Sequence, residues 1–588
     1  MNPQLQLILQ QAIQAFQSGN FVSADLSLRR VLQIDSKNLP ALHILGLIKA
    51  SQSNYREAAD YLARAARIHP NDASIQYNLA KALSDSGNDK DALAHHKKAV
   101  ALAPNNPEAW LSYGKTASNL GRYEDALVWY GNALSLKPDY AEASLNKGAT
   151  FKELERYEEA IAFAEQALSI NPNLAEAWTN KGVALKALKC FDEAITHYDK
   201  ALSLKPDYHE AWTNKGVTLH ELKRYDEAIT HYDKALSLKP DYHEAWTDKG
   251  VTLHELKRYD EAITHYDKAL SLKPDYHEAS WNKSLCLLLQ GDFENGLQLY
   301  ESRWTSEKVS EIAGKRSFDG PAWLGAESLQ DKTILLYGEQ GLGDFIQFCR
   351  YVKLVAGLGA KVILEVPQSL ATLLTGLTGV SEFVIKGQEL PPFDFCCPIV
   401  SLPLAFNTRV SSIPAENRYI ASDVKKASEW RFKLGEKKKK RVGLVWSSLS
   451  NFQHDAKRSL LLSDFVKALP VDGYEYVCLQ KELKDCDKEF FKEYQNIQFF
   501  GDQLNDFSDT AALIESVDLV VSTCTSVPHL SAAMGKETWV LLSHVPDWRW
   551  LLDREDSPWY PSMKLYRQNS ICNWNSVLDR VKSDLSSN

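Results

Sequence analysis

HEAWTNKGVTLHELKRYDEAITHYDKALSLKPDY (209–242) is followed at once by HEAWTDKGVTLHELKRYDEAITHYDKALSLKPDY (243–276), the same 34 residues with Asp248 in place of Asn214. Small or apolar side chains stand where two antiparallel helices must touch: Trp212, Leu219, Tyr225, Ala228, Tyr232, Ala235 and Pro240. A unit of this kind buries its face only by stacking on its neighbours. The frame runs back without insertion through 175–208, 141–174, 107–140, 73–106 and 39–72 to a degenerate 5–38, and forward into 277–304. That makes eight full units and a truncated ninth, punctuated by Pro70, Pro104, Pro138, Pro172, Pro206, Pro240 and Pro274 at the end of each second helix.

The period and pattern resemble the tetratricopeptide repeat, which implies an all-α superhelix over residues 1–304 that grips a protein or peptide. Position six of successive repeats reads Asn78, Ser112, Asn146, Asn180, Asn214, Asp248 and Asn282. An amide offers both a donor and an acceptor, so the five asparagines form a candidate groove for an extended peptide backbone. The same row also arises from simple copying of one solvated residue. It resembles the asparagine ladder of O-linked N-acetylglucosamine transferase. The recurring His197, His231 and His265 lie one repeat apart, not at ligand spacing on one helix, so no metal site is expected.

At 588 residues the chain exceeds one hydrophobic core. A net charge of −9 argues against a dedicated nucleic-acid binder. Nine cysteines without CxxC spacing suit a reducing compartment. No secretory leader or bilayer-length apolar run is visible, and the expected location is cytoplasmic.

After a connector at 305–332 the periodicity changes. Short β-rich runs at 333–337, 361–366, 382–386 and 393–400 alternate with helical stretches, then a polar linker at 421–440 ends in the basic run Lys437–Arg441. The alternation restarts at 441–446, 475–480, 497–501, 518–523, 537–543 and 563–567. Such alternation predicts α/β architecture with parallel sheets in two Rossmann-like lobes, 333–420 and 441–588, with a cleft at the carboxyl ends of the strands.

Three segments carry candidate chemistry. Gly338-Glu-Gln-Gly341-Leu-Gly343-Asp344 turns from strand to helix, and Asp344 reads either as a helix cap or as a general base at the cleft mouth. Ser522-Thr523-Cys524-Thr525-Ser526-Val-Pro-His529 ends a buried strand with hydroxyls and exposed amides, a cradle for a diphosphate or an ordinary cap with a structural histidine. His454-Asp-Ala-Lys457-Arg458-Ser459 offers cations to a phosphate leaving group, or is a charged loop.

Together GEQGLGDFIQFCRY, PPFDFCCPIVSLPLAF, VGLVWS, HLSAAMGK and PDWRWLLDREDSPWYPSMKLYRQ, spread over 333–567, resemble the heptosyltransferase-like (glycosyltransferase family nine-like) domain that follows tetratricopeptide arrays in many bacterial proteins. More distantly, the stretch resembles O-linked N-acetylglucosamine transferase. The resemblance implies a two-lobed GT-B fold and an inverting, metal-independent transferase with a nucleotide-sugar co-substrate and no resident cofactor. By the same likeness Asp344 supplies the base, Arg458 meets the donor phosphates, and His529 with Gly341, Gly343, Ser522, Thr523, Thr525 and Ser526 forms the donor site. One position departs from the pattern: the family has an Asp-Thr pair before this histidine, and here Cys524 takes the Asp position. A thiol does not replace a carboxylate that holds a sugar hydroxyl. The alternative expectation is therefore a non-catalytic protein-interaction scaffold carrying a degenerate transferase-like domain.

Overall fold

The computed structural model describes residues 3–305, 316, 318–448, 455–494, 496–571 and 573–587. The chain forms two compact units, Met1–Asp241 and Tyr242–Asn588.

In the first unit helical hairpins succeed one another from Pro3–Gln17 and Phe21–Ile34 to His209–Glu221 and Tyr225–Leu238. The repeated residues explain the hairpin. Gly182 and Gly216 face the rings of Tyr198 and Tyr232 so closely that a Cβ would lie 2.6 and 2.7 Å from the ring edge. Glycine on the first helix therefore makes room for the buried tyrosine on the second, and both rings are at most 1% exposed. The hairpin turns take a left-handed residue, Gly87 and Gly121 in two repeats but Glu155, Lys189 and Lys223 in others. Trp178 and Trp212 donate Nε1–H to the carbonyls of Pro172 and Pro206 (2.9 Å each), fastening each first helix to the turn before it.

The second unit opens with two more hairpins, His243–Glu255 with Tyr259–Leu272 and His277–Gln290 with Phe293–Tyr300. The compact boundary thus falls inside the repeats and not at residue 304. Buried side chains tie these last hairpins to the α/β region of the same unit. Arg303, fully buried in the turn Glu301–Trp304, bonds Glu339 and Ser401, and Phe293 and Tyr300 pack on Trp548.

That region is built on two parallel sheets. The first contains β1 (Thr333–Tyr337), β2 (Lys361–Val366), β3 (Glu382–Ile385) and β4 (Phe395–Pro398) in the order β3-β2-β1-β4. The second contains β5 (Lys440–Val445), β6 (Tyr474–Cys478), β7 (Ile497–Phe499), β8 (Leu519–Thr523), β9 (Glu537–Leu542) and β10 (Met563–Arg567), ordered β10-β9-β8-β5-β6-β7. The central strands are buried on both faces, which is why they read as nearly unbroken apolar runs.

The stretch 421–440, expected as a polar linker, contains a helix at Val424–Leu434. Asp423 caps it by accepting from the Lys426 amide (2.8 Å), and Ala427, Trp430 and Leu434 form a buried stripe. Lys426 pairs with Asp509 (2.8 Å) of the helix Phe507–Glu515, so this segment packs with the second sheet. The many charges between the apolar positions hid the helical spacing. Helices at Asp485–Glu493 and Asn575–Ser587 also lie where the sequence pattern announced none. Among the described residues no helix is long and apolar enough to cross a membrane.

Candidate functional site

The glycine-rich turn after β1 and the hydroxyl-rich turn after β8 start two helices, Leu342–Phe348 and Ser526–Ala533, and the helices meet. Gly343 is the point of approach. A Cβ there would sit 3.1 Å from His529 Cδ2 and 3.3 Å from the Ser526 Cα. Its role is to let two helix starts touch, which no glycine-spacing rule for phosphate binding would have given. Gly341 is the N-cap residue of the first helix.

Asp344 stands at the centre. Its Oδ2 accepts the Gly341 amide (3.0 Å), the cap bond, while Oδ1 pairs with Arg549 Nη2 at 2.7 Å. Burial raises its pKa above the usual carboxylate range and Asp547 adds to this; Arg549, the Gly341 amide and Arg458 pull it back. Asp344 thus caps its helix and faces a guanidinium at the same time.

The second turn divides into core and cleft residues. Ser522 and Thr523 are fully buried within β8, Ser522 donating to the Thr523 carbonyl (2.7 Å), so neither faces the cleft as expected for donor binding. Alternation alone could not reveal this in a strand buried on both sides. Thr525 accepts from the Val527 amide as N-cap, and Ser526 begins the helix. His529 is 5% exposed, bonded through Nδ1 to the Tyr560 hydroxyl (3.0 Å) and stacked on Trp550 (5.1 Å). Burial, aided by the charge of Arg549, pushes its pKa down to about 3. That shift favours the uncharged ring, so any contact of His529 with a phosphate would be a hydrogen bond and not an ion pair. Cys524 Sγ accepts from Trp550 Nε1 (3.2 Å), and burial pushes the thiol up to about 11.

Arg458 lies at the end of a short helix, Asp455–Arg458, and its charge is felt by both Asp344 and Cys524. Its neighbour Lys457 pairs with Glu255 (2.9 Å). The candidate His454 lies outside the described residues.

Beside these groups a cleft of about 230 Å³ is lined by Ser447, Gln480, Asn505, Thr525 and Ser526, with Ser369 from the other sheet's side. It sits past the carboxyl ends of β5, β6 and β8, where β5 has β6 on one flank and β8 on the other. This is the switch point at which open parallel sheets bind ligands. Gln480 Oε1 accepts the Trp446 and Ser447 amides (2.7 and 3.1 Å) and fixes the cleft edge.

Asp547, Arg549 and Trp550 were not singled out from the sequence. The Trp-Arg-Trp string was visible, but nothing in it announces an ion pair to a residue some two hundred positions earlier.

The groove asparagines are partly engaged. Asn146 and Asn214 donate to the Glu142 and Glu210 carbonyls of their own helices (2.8 and 2.9 Å), and Asn78 bonds His43 (3.0 Å). Asn180 is half-buried in the same unit, and Asn282 half-buried in the second.

Models described as tetratricopeptide repeat match residues 45–107, 97–128, 141–174, 175–208, 209–242 and 243–276, and one described as TPR repeat matches 118–154. FlbA of Caulobacter vibrioides is 28% identical over 329 residues, covering 51% of this chain and 53% of FlbA, so the chain spans about half the length of this curated relative. Among solved structures, the APC/C Cut9–Hcn1 hetero-tetramer is 20% identical with a TM-score of 0.37, covering 48% of this chain and 55% of that one. MamA from Desulfovibrio magneticus is 24% identical with a TM-score of 0.27, covering 29% and 96%. Tetratricopeptide repeats therefore make up the N-terminal part of this chain, roughly its first 280 residues.

Proposed function

We propose that the second unit is a GT-B-type glycosyltransferase that moves a sugar from a nucleotide-sugar donor to a protein or peptide held by the repeats. The observation that carries this reading is the meeting of the two helix starts, Gly343 against Ser526 and His529, which sets the Asp344 turn next to the turn that lines the switch-point cleft. A base on one sheet's loop and a helix N-terminus on the other's is what inverting transfer requires.

In the proposed step the Asp344 carboxylate takes the proton of an acceptor hydroxyl as its oxygen attacks the anomeric carbon. The bond from that carbon to the diphosphate oxygen breaks, and the nucleoside diphosphate leaves with the electron pair. The amides at the start of Ser526–Ala533, the Thr525 and Ser526 hydroxyls and Arg458 stabilise the departing charge in place of a metal ion. His529 contributes as a neutral, packed ring that fixes the helix start against Trp550 and Tyr560.

A second reading, a protein-binding scaffold with an inactive transferase-like unit, is favoured by Cys524. Its neutral thiol occupies the place of a carboxylate and already has the Trp550 indole as partner. The repeats support a protein-interaction role under both readings.

A panel of nucleotide sugars and nucleoside diphosphates, followed by thermal shift and by release of nucleoside diphosphate, separates the two. Stabilisation and release by one donor class support transfer. No shift and no release with any donor would leave the scaffold reading.

A further inference from the structure

The base has a partner that the proposed reaction does not use. Arg549 is 5% exposed, and its guanidinium lies over the rings of Trp548 (4.5 Å) and Phe348 (5.3 Å). Nη1 bonds both oxygens of Asp547 (3.0 and 3.2 Å), whose Oδ1 also accepts the Arg549 amide (2.9 Å). That leaves Nη2 for Asp344, whose Oδ1 lies 2.7 Å away as an ion-pair partner. Two flanking rings and a two-point carboxylate clamp leave the fork little freedom. Just beyond it, Leu551 and Asp553 hold left-handed backbone conformations (φ +51° and +50°) that non-glycine residues adopt at a cost.

Trp548 in turn packs on Phe293 and Tyr300 of the last hairpin, and the Tyr300 hydroxyl meets the Gln340 side chain of the glycine-rich turn (3.0 Å). The same aromatic wall thus braces both the arginine and the loop that carries the base.

We propose that Arg549 is a positioning residue for the transfer assigned above: its guanidinium holds the Asp344 carboxylate ionised and fixed at the start of its helix. The inference rests on that functional reading for its consequence in turnover, but the coupling between the two residues stands without it. The groups facing Asp344 are Arg549 and Asp547 from one segment, Arg458 from a second, Glu339 from its own loop, the Tyr300 hydroxyl from the last hairpin and the neutral His529 ring. Of the cations, Arg549 acts on it most strongly.

Burial favours the protonated acid and Arg549 the carboxylate, so removing the guanidinium raises the Asp344 pKa further. A base must be unprotonated, and the acid limb of kcat/KM for nucleoside diphosphate release moves to higher pH.

The test compares the full-length wild type with Arg549→Met and Arg549→Lys. In Arg549→Met the acid limb should rise by about 1–3 pH units, the range for losing an adjacent opposite charge. Arg549→Lys, which keeps the charge but not the fork, should return most of that shift while leaving kcat below wild type. Infrared difference spectra, each background against its own Asp344→Asn variant, read the same carboxyl without turnover. At neutral pH they should show a carboxylate in the wild type and an increased protonated fraction in Arg549→Met. An unchanged infrared signal and an unmoved limb, with only a lower melting temperature, would reduce Arg549 to a packing residue and overturn the proposal. The infrared change without diphosphate release from any donor would support the coupling and count against the transferase reading alone. Arg549→Lys supplies the comparison if Arg549→Met folds poorly.

Discussion

Arg303 and Glu339 form an ion pair at 3.2 Å in which both side chains are fully buried. One belongs to the turn closing the last hairpin, the other to the loop leading to Asp344. Arg303 also bonds Ser401, Glu301 and the Tyr300 carbonyl, so a single side chain joins the end of the repeats to the first sheet.

Removing Arg303 should leave an unpaired buried carboxyl. Arg303→Met is expected to lower the stability of the second unit by about 3–5 kcal/mol, the usual effect of taking one partner from a buried pair. Denaturant unfolding of the full chain measures it. A loss below about 1 kcal/mol, typical of an exposed pair, would show that the pair does not hold the junction.

Glu339 gives the same junction a pH dependence. Burial raises its pKa to about 7, against the opposing pull of Arg303. With its folded pKa above the unfolded value near 4.5, folding holds the proton up to a higher pH than the unfolded chain does, and the carboxylate that pairs with Arg303 forms only as the pH passes the folded value. Its contribution to stability is fully present below the unfolded pKa and is lost as the pH rises to about 7. Glu339→Gln should therefore flatten the melting-temperature profile between these limits. A profile identical to wild type would remove Glu339 from the account.

The repeats offer a test in the other direction. Lys189 and Lys223 hold φ of +64° and +61° in turns where sister repeats place Gly87 and Gly121. Left-handed backbone costs a side-chain-bearing residue about 1–2 kcal/mol, partly returned by glycine's greater freedom when unfolded. Lys189→Gly and Lys223→Gly should each stabilise the first unit by about 0.5–1 kcal/mol, read from its thermal transition. Destabilisation by either would mean that the lysine makes turn contacts outweighing its backbone strain.

Much of this architecture was legible because it repeats. The 34-residue frame located the hairpins, and its Gly and Tyr turned out to be each other's packing partners, as at Gly216 and Tyr232. Strands such as Thr333–Tyr337 and Leu519–Thr523 were legible as short apolar runs. The helix at Val424–Leu434 was not, because charges crowd the positions between Ala427, Trp430 and Leu434. At the site, Asp344 and His529 were found through local turn chemistry. Arg549 was missed and the burial of Ser522 and Thr523 went unseen, since both depend on which loops and strands face one another across the fold.

Gly343 tests the meeting of the two turns. Gly343→Ala would place a methyl group 3.3 Å from the Ser526 Cα, a backbone atom that cannot simply swing aside. A loss of about 1–3 kcal/mol is expected from such overpacking, with weaker nucleotide binding as the helix starts separate. Full retention of both would show that the approach is not needed.

The most direct measurement is single-turnover release of nucleoside diphosphate by Asp344→Asn beside wild type, with donor binding followed in parallel by calorimetry. Asparagine keeps a capping oxygen for the Gly341 amide and Arg549 keeps Asp547 as its counter-charge, so donor affinity should stay near wild type while the lost ion pair lowers stability without unfolding the unit. As the lost group acts only in the transition state, turnover should fall by about 10²–10⁴-fold. Wild-type turnover in Asp344→Asn would contradict the account, leaving Asp344 as the cap of its helix and no more.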